Sequence, residues 1–309
     1  MEKTKLLIDT DIGDDIDDLF ALYFALRKNI EIVGVTTVFK DTVQRAKMVK
    51  KLFNEFGQGY ENVPVYAGYG TPLNGMGGDK EKLCQYTPEI DGFSPDNNSE
   101  EEAIDFIIDA CEKYGKQLTV VAIGPFTNIA KAIQKKPDVF HNVNFVIMGG
   151  AFFRQYADWN VMCDVESAKI MFDNVPTLEC LGADVTHKLD IGQEERNKIL
   201  AYKNSGMNSA GRYVSEIFGI FTNYNRPIYL HDPLAVYFPI NREICSMERA
   251  RVEVVTEGIM RGITFNIDAY NKSYMNPYCK DCGNKNRISV AKDVKKREFT
   301  DLFISVFDD

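Results

Sequence analysis

Asp9-Thr10-Asp11-Ile12-Gly13-Asp14-Asp15-Ile16-Asp17-Asp18 decides how this chain is read. Six carboxylates stand in ten residues, between the apolar runs Leu6-Leu7-Ile8 and Leu19-Phe20-Ala21-Leu22-Tyr23. The first run predicts a buried strand over 5–9, the glycine a turn, and the second run a helix over 17–27 that opens on acids. Free N–H groups and the positive end of the macrodipole at a helix start accept one or two carboxylates as caps. Six exceed that need, and they repel one another unless a cation sits among them. A solvated acidic face is the plain alternative. Against it stands position, because open α/β sheets bind ligands at the carboxyl ends of their strands. A hard, oxygen-liganded ion such as Ca2+ or Mg2+ suits the cluster. An EF-hand does not, since its glycine belongs one position further on and its distal glutamate is missing.

Outward from this stretch, strand and helix patterns alternate. Residues 31–38 (EIVGVTTV) are β-branched and almost wholly apolar, the mark of a strand covered on both faces. A helix follows over 41–56 and ends at Gly57. A short strand over 63–66 leads into residues 68–98, rich in Gly, Pro, Asn and Asp and long enough to suggest a functional loop. Ser99 and the acids after it cap a helix to residue 114. Strands are expected over 118–123, 143–148 and 177–181, with helices over 164–172, 193–202 and 209–223 and another opening at Asp232-Pro233. Late in the chain, 251–256 and 262–267 read as a hairpin, with 287–291 a third strand and 294–307 a closing helix. The expected fold is α/β, a doubly wound, mostly parallel sheet flanked by helices, with the hairpin as an edge addition. One domain over 1–309 is expected, with 251–291 as its hairpin subdomain.

Composition narrows the function classes. A net charge of −9 argues against a nucleic-acid polymer or an anionic membrane surface as partner. No apolar run is long enough to span a bilayer, and Met1-Glu2-Lys3-Thr4 does not begin a secretory signal, so a cytoplasmic location is expected. Seven scattered cysteines, an odd number, fit a reducing compartment. Cys279 and Cys282 form a CxxC without a second pair, which makes a zinc site a weak reading.

Polar residues gather where predicted strands end: the acidic stretch, Lys40-Asp41, Ile123-Gly124-Pro125, Asp158-Trp159-Asn160 and His231-Asp232. In a parallel sheet these converge on one side, giving an acidic pocket that holds a histidine. The blocks also resemble the inosine-uridine preferring nucleoside hydrolases, calcium-dependent nucleoside N-ribohydrolases. The resemblance rests on Asp9-Thr10-Asp11-Ile12-Gly13 with Asp17-Asp18, VTTV at 35–38, GPFTNIA at 124–130, MGG at 148–150, ADWN at 157–160 and HDPLAV at 231–236. These stand in family order from residue 5 to about residue 240.

That resemblance implies hydrolysis of the bond between ribose and nucleobase by a calcium-activated water, within nucleoside salvage. Carboxylates around the sugar would stabilise its growing positive charge. By motif, Asp11 would be both calcium ligand and base for the water, with Asp18, Asp232 and the Ile123 carbonyl as further ligands. His231 would serve the leaving base, a role suited to a histidine near neutrality. Asp17, Met148, Asp158 and Asn160 would contact substrate, as would Asp41 at the position of the family's asparagine. Relatives form homodimers or homotetramers, so a homo-oligomer acting on a small nucleoside is implied.

The departures from the family pattern bear on the site. Three residues, Asp14, Asp15 and Ile16, separate the glycine from the paired aspartates where the family has one. Anchoring on the helix makes Asp18 the metal ligand and Asp17 the ribose ligand, whereas counting from Asp11 brings Asp15 to the ribose. Asp158 replaces a glutamate. The segment before it lacks the family's asparagine, for which Arg154, Gln155 or Tyr156 can substitute. Phe221, Tyr224 and Tyr229 precede His231 and offer rings to a base, or ordinary core packing. Two other readings compete. A haloacid-dehalogenase type phosphotransferase also carries DxD after a strand, but HDPLAV does not fit it. The other is a non-catalytic calcium- and ribose-binding protein on the same scaffold, or a hydrolase for an unusual ribosyl substrate.

Overall fold

The computed structural model describes residues 4–74, 83–271 and 287–308. The Cys279/Cys282 pair lies outside them. Strands β1 (Lys5–Thr10), β2 (Glu31–Thr37), β3 (Val65–Ala67), β4 (Leu118–Ala122), β5 (Asn144–Met148) and β6 (Leu178–Leu181) form a parallel sheet in the order β3-β2-β1-β4-β5-β6. The sheet is built outward in both directions from β1, so the winding reverses between β1 and β4. Neighbouring crossovers there leave to opposite faces and open a crevice at the carboxyl ends of the two strands.

Alternation along β1 assigns its two faces. Leu6 and Ile8 pack into one apolar layer with α1 (Asp17–Arg27), α9 (Ser209–Thr222) and α10 (His231–Tyr237). Leu7 enters the other, with α3 (Glu100–Tyr114), α4 (Thr127–Lys135) and α6 (Val165–Asn174). Helix α1 is buried from Asp17 through Leu26. Phe20 sits 5.3 Å from the rings of both Phe218 and Phe303, and a Phe→Ala change in such a setting costs about 3–5 kcal/mol. That packing fixes which way the acidic start of α1 faces. Helices α2 (Thr42–Phe56), α5 (Trp159–Cys163), α7 (Ala183–Thr186) and α8 (Gln193–Ser205) complete the set before the late region.

The late region differs from its sequence reading. β8 (Val252–Val254) and β9 (Thr264–Asn266) do form an antiparallel hairpin, followed by α11 (Ile267–Asn271). The expected third strand, however, does not join it. β10 (Ile288–Val294) enters the main sheet beside β6, running parallel to it, and pairs on its other side with antiparallel β7 (Cys245–Ala250). β7 reads Cys-Ser-Met-Glu-Arg-Ala, with only its ends buried, as befits an edge strand, and carries little apolar signal. Val294 ends β10, so the closing helix α12 is confined to Lys296–Ile304 with a 3-10 turn after it. No helix among the described residues is long and apolar enough to cross a membrane.

Candidate active site

A cavity of about 690 Å³ opens at the carboxyl ends of β1, β4 and β5. β1 delivers Asp11, β4 is followed by Ile123 and β5 ends on Met148; the starts of α1 and α10 supply Asp17, Asp18, His231 and Asp232. Gly124 permits the β1 and β4 ends to meet. A Cβ there would stand 2.9 Å from both the N and Oδ1 of Asp11.

Asp17, Asp18 and Asp232 are buried, and one carboxylate oxygen from each lies within 4.8 Å of the others. Asp11 lines the same cavity but stands outside that tightest set. Burial and mutual repulsion hold the carboxyls of Asp17, Asp18 and Asp232 well above the usual range. Asp11 is pushed up to about 6, first by burial, with the Arg45 charge opposing. Thr10 Oγ1 donates to Asp18, and Asp17 shares a hydrogen bond with Asp232. Burial and repulsion of this kind are what a bound cation would relieve. The donors are all oxygen, which fits a hard divalent ion rather than a soft one.

The turn between β1 and α1 is bonded from several sides. Gly13 takes φ +122°, a conformation in which side chains are strained, and its carbonyl accepts from Gln85 N at 3.1 Å. Arg45 donates to the carbonyls of Asp11 and Ile12 and to the Asp14 carboxylate. Asp15 stays exposed at the rim, where its carboxylate accepts from Ile16 N. Of the two readings of this turn, the helix-anchored one has Asp17 in the buried cluster and leaves Asp15 at the mouth.

Asp41 does not line the cavity. Its carboxylate caps α2, accepting from Gln44 N at 3.0 Å and Gln44 Nε2 at 2.8 Å. Phe39 and Lys40 both hold positive φ (68° and 59°), which swings the chain so that Lys40 takes the place at the cavity. Strained backbone of this kind persists only where surrounding structure imposes it. Here the N–H groups of Phe39 and Lys40 are bound by the carbonyls of Tyr69 and Gly70.

Asp158 caps α5 through Val161 N and lines one wall, its carboxyl pushed up to about 6 by burial. Asn160 Nδ2 donates to the carbonyls of Ile123 (2.9 Å) and Met148 (3.1 Å), which joins the β4 and β5 ends. Of the three substitutes for the family's asparagine, Tyr156 alone reaches the lining. Its hydroxyl lies 3.1 Å from His187 Nδ1. His187 in turn meets the His231 ring edge-on, with centroids 5.0 Å apart. Burial, with His187 beside it, pushes His231 down to about 3, so its imidazole is neutral near pH 7. Thr186 Oγ1 stands 2.6 Å from its Nδ1, which leaves Nε2 to meet a ligand. Phe221 is core and Tyr224 is exposed; Tyr229 packs against both histidines, and none of the three lines the cavity. Cys84, His187 and Arg226 are lining residues that the sequence reading missed. Of the expected pair Lys40-Asp41 the lysine reaches the cavity and the aspartate does not, whereas Cys84, His187 and Arg226 lie in connections without periodic signal.

Known proteins match this chain over nearly its full length. A family model described as inosine-uridine preferring nucleoside hydrolase matches residues 6–301. "Probable uridine nucleosidase 2" of Arabidopsis thaliana is 26% identical over 310 residues, covering 94% of this chain and 93% of its own. The pyrimidine-specific ribonucleoside hydrolase RihB of Escherichia coli (strain SE11) is 28% identical over 271 residues, covering 82% and 84%. The solved structure of a plant nucleoside hydrolase, the PpNRh1 enzyme, covers 99% of both chains with a TM-score of 0.83 at 25% identity.

Proposed function

This chain belongs to the inosine-uridine preferring nucleoside hydrolase family and cleaves the N-glycosidic bond of ribonucleosides, and from that premise we propose a calcium-assisted mechanism centred on Asp11. Calcium would be held by Asp11, Asp18, Asp232 and the Ile123 carbonyl. The observation that carries this reading is the buried cluster of carboxylates, whose convergent oxygen donors suit a hard divalent ion. When bound, the ion supplies positive charge that acidifies a water and holds ribose hydroxyls.

The chain's own residues do the rest. Asp11, kept ionised beside the cation, takes a proton from the water that attacks the anomeric carbon. Asp17 and Asp158 hydrogen-bond the ribose hydroxyls, and the carboxylates ionised around the sugar once the cation is bound stabilise its oxocarbenium character. Asn160 and Met148 shape the wall against which the ribose lies. His231 presents Nε2 to the departing base. Being neutral, it acts by hydrogen bonding as charge builds on the base, with Thr186 fixing the ring. The Arabidopsis relative's name puts uridine first among candidate substrates.

Ribose release from a panel of purine and pyrimidine nucleosides, with calcium and after chelation, tests the mechanism. Calcium-dependent release that Asp11→Ala abolishes is the expected result. Release unaffected by chelation removes the calcium reading, and an Asp11→Ala variant with near-full activity removes Asp11 from both roles.

A further inference from the structure

Behind the acidic turn lies a cation that neither substrate nor metal would touch. Arg45, on α2, is fully buried. It donates through Nη1 to the carbonyls of Asp11 and Ile12 (2.7 Å to the latter) and through Nε to the carbonyl of Phe39 at 2.8 Å. Its Nη2 pairs with Asp14 Oδ2 at 2.8 Å. The three backbone acceptors belong to two different strand-to-helix turns, β1–α1 and β2–α2. One guanidinium thus ties together the turn that carries Asp11 and the strained pair Phe39-Lys40.

Burying a guanidinium costs several kcal/mol unless its N–H groups are bonded and its charge is matched. Asp14 provides part of that match. The rest faces the cluster, since the Arg45 charge acts on both Asp11 and Asp18. Lysine could supply the charge but not the fork, because its donors radiate from a single atom. Asp14 belongs to the same turn, so the turn and the buried arginine hold each other.

We propose that Arg45 is the positioning residue of the metal-binding turn. It fixes the Asp11 main chain so that Asp11 lines the cavity it shares with Asp18 and Asp232 before any cation arrives. This rests on the calcium reading given above.

The test is calorimetric titration of calcium into chelator-stripped full-length protein, comparing wild type with Arg45→Lys, Arg45→Met and Asp14→Asn, beside melting curves without metal. Groups that orient metal ligands typically govern about 10- to 100-fold in affinity, and a loss in that range is expected for Arg45→Lys. At saturating calcium its kcat should return towards wild type, because Arg45 touches no substrate. Asp14→Asn keeps the three backbone bonds and should lose less affinity than Arg45→Lys. An Arg45→Lys or Arg45→Met variant that melts lower yet binds calcium as tightly as wild type overturns the inference and leaves Arg45 a structural support. Wild type that binds no calcium instead overturns the metal reading, and this inference with it. Should the Arg45 variants not fold, amide hydrogen exchange of wild type decides. The Ile12 amide, which donates to Thr10 Oγ1, should be equally protected with and without calcium, and protection that appears only on calcium binding contradicts a turn built in advance.

Discussion

Calcium should stabilise this protein more strongly as the pH rises, while the chelated protein weakens over the same range. Asp17, Asp18 and Asp232 keep their protons well above the usual carboxylate range, and Asp11 is pushed up to about 6. In the unfolded chain these groups ionise near pH 4. Above that pH, until the native groups also ionise, the native state binds more protons than the unfolded state. Stability therefore falls with rising pH, the reverse of a salt-bridged carboxylate. For Asp11 alone, raised from 3.8 to about 6, the loss amounts to about 3 kcal/mol once the pH is well above 6. A bound cation replaces those protons, so its affinity grows with pH and the loss is cancelled.

At free calcium of about 100 times Kd, the linkage contributes about 2.7 kcal/mol. An unfolding entropy of about 2.1 cal/mol/K per residue over 309 residues gives about 0.65 kcal/mol per degree, hence a melting shift of about 4 °C. Calorimetric melts at about pH 5 and about pH 8, chelated and calcium-loaded, read both effects. Surface carboxylates also titrate, so Asp232→Asn isolates the cluster. The chelated variant should lose less stability with rising pH than chelated wild type, and calcium should no longer shift it. A calcium shift larger at the low pH than at the high one would refute the coupling. So would a chelated wild type that matches chelated Asp232→Asn at both.

Two substitutions test the geometry. Gly124→Ala drives a Cβ to 2.8 Å from Val38 Cγ1 and 2.9 Å from the Asp11 backbone nitrogen, and overpacking of this kind costs about 1–3 kcal/mol. Ribose release should fall about tenfold or more through the displaced Asp11, and unchanged kinetics would mean that the turn yields freely. Asp41→Ala removes the α2 cap and should cost about 1 kcal/mol in urea unfolding. Its kcat should stay within about twofold of wild type, since Asp41 does not line the cavity; a large loss of kcat would return Asp41 to the substrate.

Much of this architecture could be read directly. The run of Leu6-Leu7-Ile8, the glycine turn and the apolar start of α1 specify a strand, a turn and a helix by local chemistry alone. The rule that parallel strands end on one side then brought Asp11, Asp18 and Asp232 together. Asp41 shows where such reasoning stops. A carboxylate after a strand looks the same whether it caps the next helix or reaches a ligand. The choice lies in the positive φ of Phe39 and Lys40, which depends on Tyr69 and Gly70 some thirty residues on. β10 was legible as a strand but its neighbour was not, because pairing with β6 is settled by distant packing. Arg45 carries no local signal at all, for an arginine on a helix is ordinarily a surface residue.

The late hairpin has its own consequence. Thr264 in β9 accepts from the N–H of Ala151 and donates to the carbonyl of the same residue, at 2.8 and 3.0 Å. Ala151 begins the segment that leads from Met148 at the cavity floor to Tyr156 and Asp158 in its wall. Two bonds to the backbone of one residue leave that segment little freedom to slide. The last recognisable motif ends at Val236, yet the wall it serves is anchored by a residue nearly thirty positions beyond. A shortened chain that kept every motif would keep its reactive groups and lose the moorings that hold one side of them in place.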